Sequence, residues 1–323
     1  MDSITQAVLG AAIGRACLGK VKGNKAALTG AIIATIPDLD VLLYLIYSPF
    51  EMLSIHRGYS HALIVLSFLS FLVAYLLSRL RIFKNESFSR LLFFSWLTLV
   101  THALLDAFTA YGTQLFLPFS NERFGFDSIN VVDPVYTLPM LLGLGMSIGW
   151  FGKKWKTAKW NYFGLVISTV YLLSTLGVKQ HIEQRFKTYC RQEKILPKEM
   201  LTMPVGIGNL RWYGVAKTQD SIFLKPIHLF NPEEGSLNGF RINETLLEKL
   251  SPEQRQVMKW FSKGFYTVRE LDGSLKVYNL QVDMRGVVKT ENVYAPTAGY
   301  FEFIPDGNGS YSFGSGAHPS KSK

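Results

Sequence analysis

The sequence predicts a mainly α-helical protein: a polytopic membrane bundle of about six apolar helices, followed by a small α+β domain. Hydrophobic residues make up 48% of the 323 residues, and the apolar stretches lie almost wholly before residue 180. Several of these stretches approach the length of about 20 residues that a helix needs to cross a bilayer. We therefore expect a membrane domain over residues 1–180, a soluble domain over 181–314 and a disordered tail over 315–323.

The six apolar segments differ in strength. The segment 61–80 is the clearest, because it is long and apolar almost throughout. The first segment is the weakest, because it is short and contains Gln6 and Arg15; a packed or interfacial helix is the alternative. No basic region precedes its apolar stretch, so we expect a retained helix rather than a signal peptide. The six segments lie near residues 3–18, 26–47, 61–80, 90–110, 134–151 and 161–178.

Basic residues cluster in alternate loops between these segments. The first, third and fifth connections carry groups of Lys and Arg, whereas the second and fourth carry only Arg57 and Arg123. The positive-inside rule then places the odd-numbered loops in the cytoplasm. We expect a multi-pass protein of the cell membrane, with its N-terminus and C-terminal domain on the outer, extracytoplasmic side. These loops account for much of the net charge of +10, so no nucleic-acid partner is predicted.

The chain after residue 180 has the pattern of a soluble domain. Residues 181–194 predict a polar helix that leaves the membrane. The run Ser251-Pro252-Glu253-Gln254 predicts a capped helix that ends near residue 263. Asp272-Gly273 is a strong hairpin signal between two strands. Strands are predicted near residues 210–215, 221–230, 266–270, 275–282, 300–304 and 311–313.

Six ionisable residues stand in or beside apolar sequence, where such groups are costly unless they line a cavity, pair or bind an ion. His102 and Asp106 are four residues apart and share a helix face. With a helical rise of about 1.5 Å per residue and the loop orientation above, all three groups of residues fall at similar depth in the outer half of the membrane. Histidine and carboxylate are ligands of zinc, so one shared metal site is predicted. The three groups are Asp38 with Asp40, His56 with His61, and His102 with Asp106.

Each group also has a structural interpretation. His102 and Asp106 can form hydrogen bonds between helices, and His56 can be a polar residue of an exposed loop. A capping role could explain one of the two carboxylates after Pro37 but hardly both. Asp133 precedes Pro134, the pattern of a helix cap followed by the first helical residue, and we favour a cap over a ligand.

Further polar residues lie near the predicted site. Asp2, Gln6 and Asp127 are candidates for its outer shell. Hydroxyl and amide groups follow Asp106 at Thr109, Tyr111, Thr113 and Gln114. The chain has only two cysteines, Cys17 and Cys190, which excludes a disulfide scaffold and a CxxC site. HExxH, GxSxG and phosphate-loop motifs are absent from the sequence.

Five motifs in a fixed order resemble a known family. They are Met1-Asp2…Thr5-Gln6, Pro37-Asp38-Leu39-Asp40, His56-Arg57-Gly58-Tyr59-Ser60-His61, His102-Ala103-Leu104-Leu105-Asp106…Thr109-Ala110-Tyr111-Gly112-Thr113 and Asp133-Pro134-Val135-Tyr136-Thr137. Over roughly residues 1–180 the chain resembles the bacterial inner-membrane, metal-dependent hydrolases of the YdjM type, often described as LexA-regulated. It is most similar to the longer Gram-positive members with an added C-terminal domain. A distant relation of that family to zinc-dependent phospholipase C would imply phosphoester hydrolysis.

The leading hypothesis is a metal-dependent hydrolase with its site at the outer membrane face. One or two divalent ions, zinc above all, would generate a nucleophilic water. Asp40 or Asp106 could act as the base, and Arg57 could hold an anionic group. The depth of the site favours a lipid or lipid-linked substrate, and the resemblance implies a phosphoester. The predicted ligands are Asp38, Asp40, His56, His61, His102 and Asp106.

Two other functions compete with hydrolysis. The first is a non-enzymatic membrane regulator or scaffold, in which the cluster is a structural metal or hydrogen-bond site and the C-terminal domain binds a partner. The second is an ion or proton transporter, because His and Asp side chains also form relays. Clustering at one depth disfavours transport.

Overall fold

A computed structural model describes residues 1–231, 235–281, 288–289 and 294–318. The chain divides into two compact units. The first unit contains Met1–Leu45 and Ile55–Leu176, and the second contains Ile46–Ser54 and the chain from Gly177 onwards. The predicted boundary at residue 180 lies close to the division at residue 176, but no sequence feature indicated that residues 46–54 fold with the C-terminal unit.

Seven α-helices and three short 3-10 helices form the described chain up to residue 192. The α-helices are α1 (Ser3–Lys22), α2 (Asn24–Ala34), α3 (Pro49–Ile55), α4 (Leu63–Arg79), α5 (Phe88–Ala107), α6 (Pro134–Ile148) and α7 (Ala158–Gln192). The 3-10 helices are Pro37–Leu45, Tyr59–His61 and Lys153–Trp155.

Two of these helices, α5 and α7, are long and apolar enough to cross a membrane. Two bent pairs also qualify if each pair is one span, so the described residues hold two to four candidate spans. The prediction of six apolar spans is not confirmed. Helix α1 has 20 residues but contains Gln6 and Arg15, and α6 has only 15 residues. The bent pairs are Asn24–Ala34 with Pro37–Leu45 and Pro49–His61 with Leu63–Arg79.

The predicted segment 26–47 is broken where its proline stands. Helix α2 ends at Ala34, and the 3-10 helix that begins at Pro37 is bent from it by 48°. Proline lacks the backbone N–H that a continuing helix would use, which explains the break. The break places the Asp38 carboxylate at an irregular point of an apolar region, where polar side chains can face inward.

Small residues allow α1 and α2 to pack backbone against backbone. A Cβ atom added to Gly10 would lie 2.9 Å from the carbonyl carbon of Gly30, and one added to Gly14 would lie 3.0 Å from that of Ala26. Such contacts replace the hydrophobic driving force that is missing between helices in lipid. Larger side chains fill the rest of the interior. One apolar cluster centres on Leu66, Leu91, Phe94 and Leu99, and another on Tyr136, Met140 and Leu144.

Helix α7 joins two elements that the sequence predicts separately. The apolar segment 161–178 and the polar helix 181–194 form one continuous helix of 35 residues. In the first unit, Asn161 of α7 donates to Ala12 O at 2.9 Å, and Ser168 donates to Tyr136 O at 2.7 Å. Polar side chains of the apolar half therefore satisfy backbone carbonyls of neighbouring helices.

The second unit is built mainly from antiparallel sheets, with one further α-helix after α7. One four-stranded sheet has the order β1-β2-β3-β4 and the other β10-β9-β6-β5. The strands are β1 (Glu199–Val205), β2 (Arg211–Lys217), β3 (Ser221–His228), β4 (Asn238–Arg241), β5 (Tyr266–Leu271), β6 (Ser274–Asn279), β7 (Val288–Lys289), β8 (Tyr294–Ala295), β9 (Gly299–Pro305) and β10 (Tyr311–Ala317). Helix α8 is Pro252–Phe261, and strands β7 and β8 pair with each other.

The local signals in this unit locate its elements well. Ser251 and Gln254 form the predicted capping box at the start of α8, and β5 and β6 pair on either side of Asp272-Gly273. Strand β10 continues to Ala317, so residues 315–317, predicted as tail, pair with β9. The rest of that predicted tail, residues 319–323, lies outside the described residues, as does residue 282 of the predicted strand 275–282.

Two apolar contacts define the core of the second unit. Phe186, on the C-terminal half of α7, packs so closely on β2 that a Cβ on Gly214 would lie 2.6 Å from its ring. Phe50 of α3 packs edge-on against Phe303 of β9 and Phe313 of β10, with ring centroids 6.4 and 5.2 Å apart. Helix α3 is thus held by the second sheet.

Candidate metal centre

Three elements position the predicted ligands. Asp38 and Asp40 lie on the 3-10 helix that follows Pro37, and His61 ends the 3-10 helix that precedes α4. His102 and Asp106 lie on the last two turns of α5, one turn apart.

Four of the six predicted ligands converge. Asp38, His61, His102 and Asp106 each offer one ligand atom, and these four atoms all lie within 4.8 Å of one another. The two Nε2 atoms, of His61 and His102, are 3.2 Å apart. Asp38 Oδ1 lies 3.5 Å from Nε2 of His61 and 3.4 Å from Nε2 of His102. Asp106 Oδ2 lies 3.2 Å from Nε2 of His61 and 3.7 Å from Nε2 of His102.

These separations fit a tetrahedral ion. Four ligands about 2.0 Å from a zinc ion are about 3.3 Å from one another, and five separations in the cluster run from 3.2 to 3.7 Å. The donor set of two imidazoles and two carboxylates also suits a divalent transition metal. The cluster could therefore hold a metal ion.

The cluster is buried on all sides except one. The side chains of His61, His102 and Asp106 are fully buried, whereas that of Asp38 is 24% exposed. Asp38 reaches both histidines through Oδ1, and no hydrogen bond or ion pair of its Oδ2 occurs within the described chain. The edge formed by Asp38 is thus where water or a ligand can enter.

Asp40 and His56, also predicted as ligands, form a pair beside this cluster. Asp40 Oδ1 lies 3.0 Å from His56 Nδ1, and Asp40 Oδ2 accepts hydrogen bonds from Arg57 N at 2.9 Å and Ser60 Oγ at 2.8 Å. Asp40 therefore ties together the loop that carries His61. The structure brings this pair next to the four converging residues but not among them.

Arg57 links the loop to the cluster. Its backbone is left-handed, with φ of 57°, an uncommon conformation for a side chain of this size. Its Nε lies 3.1 Å from Asp106 Oδ2, and its Nη1 donates to Thr109 Oγ1 at 3.2 Å. The guanidinium also stacks over Tyr111, 4.9 Å from the ring centroid. A buried cation thus stands beside the buried carboxylate of Asp106.

Helix α1 contributes polar groups to the cluster. Gln6 Nε2 donates to Asp106 Oδ1 at 3.0 Å and to His102 O at 3.2 Å, and the amino group of Met1 contacts the same Asp106 oxygen. Asp2 instead caps α1 by accepting from Thr5 N at 3.0 Å. Of the predicted outer-shell residues, Gln6 therefore touches the cluster directly.

Some neighbours of the cluster had no role in the sequence prediction. Arg123 was considered only as a loop charge. Its guanidinium carbon lies 4.2 Å from the centroid of the Tyr111 ring. Ser60, named above only as part of a motif, joins Asp40 to His61. The position of Ser60 in the sequence between the predicted ligands His56 and His61 was the signal that could have identified it.

Other residues that the sequence places near the site have structural contacts. Gln114 N donates to Arg57 O at 3.1 Å, Thr113 pairs with Phe124, and Asp127 is buried with φ of 47°.

Asp133 forms a helix cap. Its Oδ1 accepts from Val135 N at 2.9 Å at the start of α6, and its Oδ2 accepts from Tyr171 Oη at 2.7 Å. Both carboxylate oxygens are therefore occupied by structural hydrogen bonds, as the pattern Asp133-Pro134 indicates.

The capping role predicts how substitutions of Asp133 will behave. An Asn can still cap the helix, so Asp133→Asn should keep the metal content of wild type, whereas Asp133→Ala should cost about 1 kcal/mol of stability. Metal analysis and thermal denaturation of the purified variants would check both. Loss of bound metal in Asp133→Asn, with its fold intact, would show that Asp133 is a ligand.

Fold and site together define a helical membrane protein with a His/Asp cluster that could hold a metal ion. The chain belongs to the YdjM inner membrane protein family, whose model matches residues 1–182, as the order of its motifs indicated. This membership and the apolar helices place the protein in a membrane.

Two curated proteins are similar to part of this chain. One is the uncharacterized protein YfhP of Bacillus subtilis (strain 168), 31% identical over 153 residues, which are 45% of this chain and 46% of that protein. The other is the inner membrane protein YbcI of Escherichia coli (strain K12), 32% identical over 123 residues, which are 38% of this chain and 69% of that protein. The match therefore spans about half the length of YfhP. No solved structure matches the chain.

Proposed function

We propose that this protein is a membrane-bound, metal-dependent hydrolase that acts on a phosphoester or lipid-linked substrate. The observation that carries the proposal is the convergence of Asp38, His61, His102 and Asp106 on one point with a single exposed edge. A catalytic site needs a position for water, and zinc sites can expand from four to five ligands, so a water that enters at the exposed edge could join the four residues.

The composition of the cluster supports a bound cation, for which zinc is the leading candidate. Two carboxylates and two imidazoles, which are donor groups that zinc binds, meet in a buried place. A metal bound there would lower the pKa of a coordinated water and polarise the scissile group.

The exposed edge gives Asp38 a second role. Because its Oδ1 faces the histidines, its Oδ2 is the oxygen that can hold a water or accept a proton at the opening. Asp40 is hydrogen-bonded at three points to the loop that ends at His61, and Asp106 contacts Arg57, Gln6 and the Met1 amino group. We therefore assign the base to Asp38 rather than to Asp40 or Asp106.

Arg57 and its surroundings support an anionic, partly apolar substrate. Arg57 Nε forms an ion pair with Asp106 and Nη1 donates to Thr109, whereas no hydrogen bond or ion pair of Nη2 occurs within the described chain. Nη2 can donate to a phosphate or carboxylate oxygen. The 3-10 helix that carries Asp38 also exposes Leu39, Val41 and Leu42, each more than half exposed. Such a surface suits a substrate with a lipid chain.

Loop charges support an outer location. Helix α5 begins after Arg79, Arg81 and Lys84, and α7 begins next to Lys153, Lys154 and Lys156. If these basic ends are cytoplasmic, Asp106 at the far end of α5 and the chain after α7 face the outer side. Because α5 and α7 then cross in the same direction, the chain between them, which contains α6, must cross back to the cytoplasmic side.

Hydrolysis by the metal-loaded protein would test the proposal. We expect purified wild type to contain stoichiometric metal and to cleave a generic phosphodiester or phospholipid, and a chelator to abolish both. The Asp38→Ala variant should lose activity with its fold intact, because it removes one ligand and the proposed base. Asp133→Asn provides the matched control, since it changes a carboxylate outside the cluster.

Two results would contradict the hydrolase. Stoichiometric metal without cleavage of any phosphoester or phospholipid would favour a structural site in a regulator or scaffold. Metal-dependent ion flux in proteoliposomes would favour a transporter.

A further inference from the structure

Ser60 joins a residue of the cluster to a carboxylate outside it. Its Oγ lies 2.8 Å from Asp40 Oδ2 and 2.8 Å from His61 Nδ1. The ring of His61 is fully buried, and the Asp40 side chain is almost so. A short chain of hydrogen bonds therefore runs from Asp40 through Ser60 to His61.

The direction of these hydrogen bonds follows from the groups involved. A hydroxyl has one hydrogen to donate, and an ionised carboxylate can only accept. Asp40 also accepts the Arg57 N–H at 2.9 Å, as expected for an ionised group. Ser60 must then donate to Asp40, so the second hydrogen bond is donated by His61 Nδ1.

This direction determines what His61 presents to the cluster. With its hydrogen on Nδ1, a neutral imidazole carries a lone pair on Nε2. That lone pair lies 3.5 Å from Asp38 Oδ1 and 3.2 Å from Asp106 Oδ2, which are themselves acceptors. A set of acceptors that face one another at these distances is stabilised by a cation placed between them.

His102 has no equivalent support. Its Nδ1 is buried and has no hydrogen-bond partner within the described part of the chain. Of the two histidines, only His61 therefore has its ring orientation and its proton set by neighbours. Hydrogen-bond partners of this kind fix the tautomer and orientation of metal-binding histidines.

We propose that Asp40 and Ser60 are positioning residues, which hold His61 with its proton on Nδ1 and its Nε2 directed at the metal. The inference rests on the metal binding in the proposed function but not on the reaction. It gives Asp40, predicted as a ligand, a role outside the coordination sphere. It also explains why Asp40 binds three points of the loop that ends at His61.

Cobalt binding to the purified full-length chain would test this role. Co²⁺ in a tetrahedral site absorbs strongly in the visible range, and competition with a chelator gives its affinity without any assay of hydrolysis. We expect Ser60→Ala to weaken Co²⁺ binding on the order of 10–100-fold and to alter the absorption band. Ser60→Thr keeps the hydroxyl and should restore both.

A matched serine controls for general effects of the substitution. Ser70 is fully buried in α4, and its Oγ donates only to Ser67 O at 2.6 Å, so Ser70→Ala should bind Co²⁺ like wild type. Thermal denaturation of each variant verifies that it is folded. Should Ser60→Ala prove unfolded, Asp40→Asn provides a second test and should also weaken Co²⁺ binding.

The outcomes separate this inference from the hydrolase proposal. Equal Co²⁺ affinity in wild type and folded Ser60→Ala would overturn the positioning role alone, as would equal weakening in Ser60→Ala and Ser60→Thr. Affinity that depends on the Ser60 hydroxyl, without hydrolysis, would support positioning and contradict the hydrolase. Absence of Co²⁺ binding in wild type would overturn both.

Discussion

An Asp106→Asn variant is expected to lose its stoichiometric metal. Asp106 is fully buried and lies in contact with both histidines of the cluster, Arg57 and the Met1 amino group. Asparagine keeps the shape of the side chain but removes the negative charge that a divalent ion needs. Elemental analysis of the purified variant would measure the loss, and hydrolysis should fall with it.

Replacement of Asp106 by Ala should add a loss of stability. Both variants remove the negative charge beside buried Arg57, and a buried charge that loses its partner costs about 3–5 kcal/mol. Alanine also leaves a space and removes the acceptor of the Gln6 hydrogen bond, so Asp106→Ala should be less stable than Asp106→Asn in thermal denaturation. Asp133→Asn is the control, because Asp133 is equally buried but caps α6. A fully metallated Asp106→Asn protein would contradict the proposed ligand set.

A Gly30→Ala variant is expected to be destabilised, although alanine is the better helix former. The new Cβ would lie 2.8 Å from the carbonyl carbon of Gly10 and 3.2 Å from the Cα of Gly14, so α1 and α2 must move apart. Overpacking of this kind costs about 1–3 kcal/mol. Because α1 carries Gln6, which contacts Asp106, metal affinity should fall as well. Thermal denaturation in detergent, with cobalt titration, would measure both.

Gly177 offers the matched control for this substitution. It lies in α7, and a Cβ added there would meet nothing within 4 Å. Gly177→Ala should therefore show the gain from helix propensity, up to about 1 kcal/mol. Opposite signs for the two substitutions would establish that close packing, not helix propensity, decides the effect at Gly30. Equal effects would refute the packing argument.

The sequence located the ligand groups because ionisable residues are conspicuous in apolar segments. It could not tell which of Asp38 and Asp40 faces the cluster, because the depth of a residue along a helix does not give the direction of its side chain around the helix axis. In a 3-10 helix with about three residues per turn, the side chains of residues two apart point about 120° away from each other. The 3-10 conformation therefore turns Asp38 toward the histidines and Asp40 toward the loop.

The number of spans was harder to predict for a related reason. Hydropathy averages over a window and so passes over the break at Pro37 and the polar residues of α1. The same averaging led to the prediction of two elements where α7 is one helix, because hydropathy detects where apolar residues end rather than where the helix ends. Hairpin and capping signals in the C-terminal unit did better, since a turn at Asp272-Gly273 or a cap at Ser251 depends on local chemistry.

The return of residues 46–54 to the second unit has a consequence for where this chain can be divided. The family match ends at residue 182, yet a stretch well inside it carries Phe50, which packs against Phe303 and Phe313 near the other end of the chain. The C-terminal unit is therefore not an appendage joined at one point. A cut after residue 182 would remove the aromatic partners of Phe50 from one piece and Phe50 from the other.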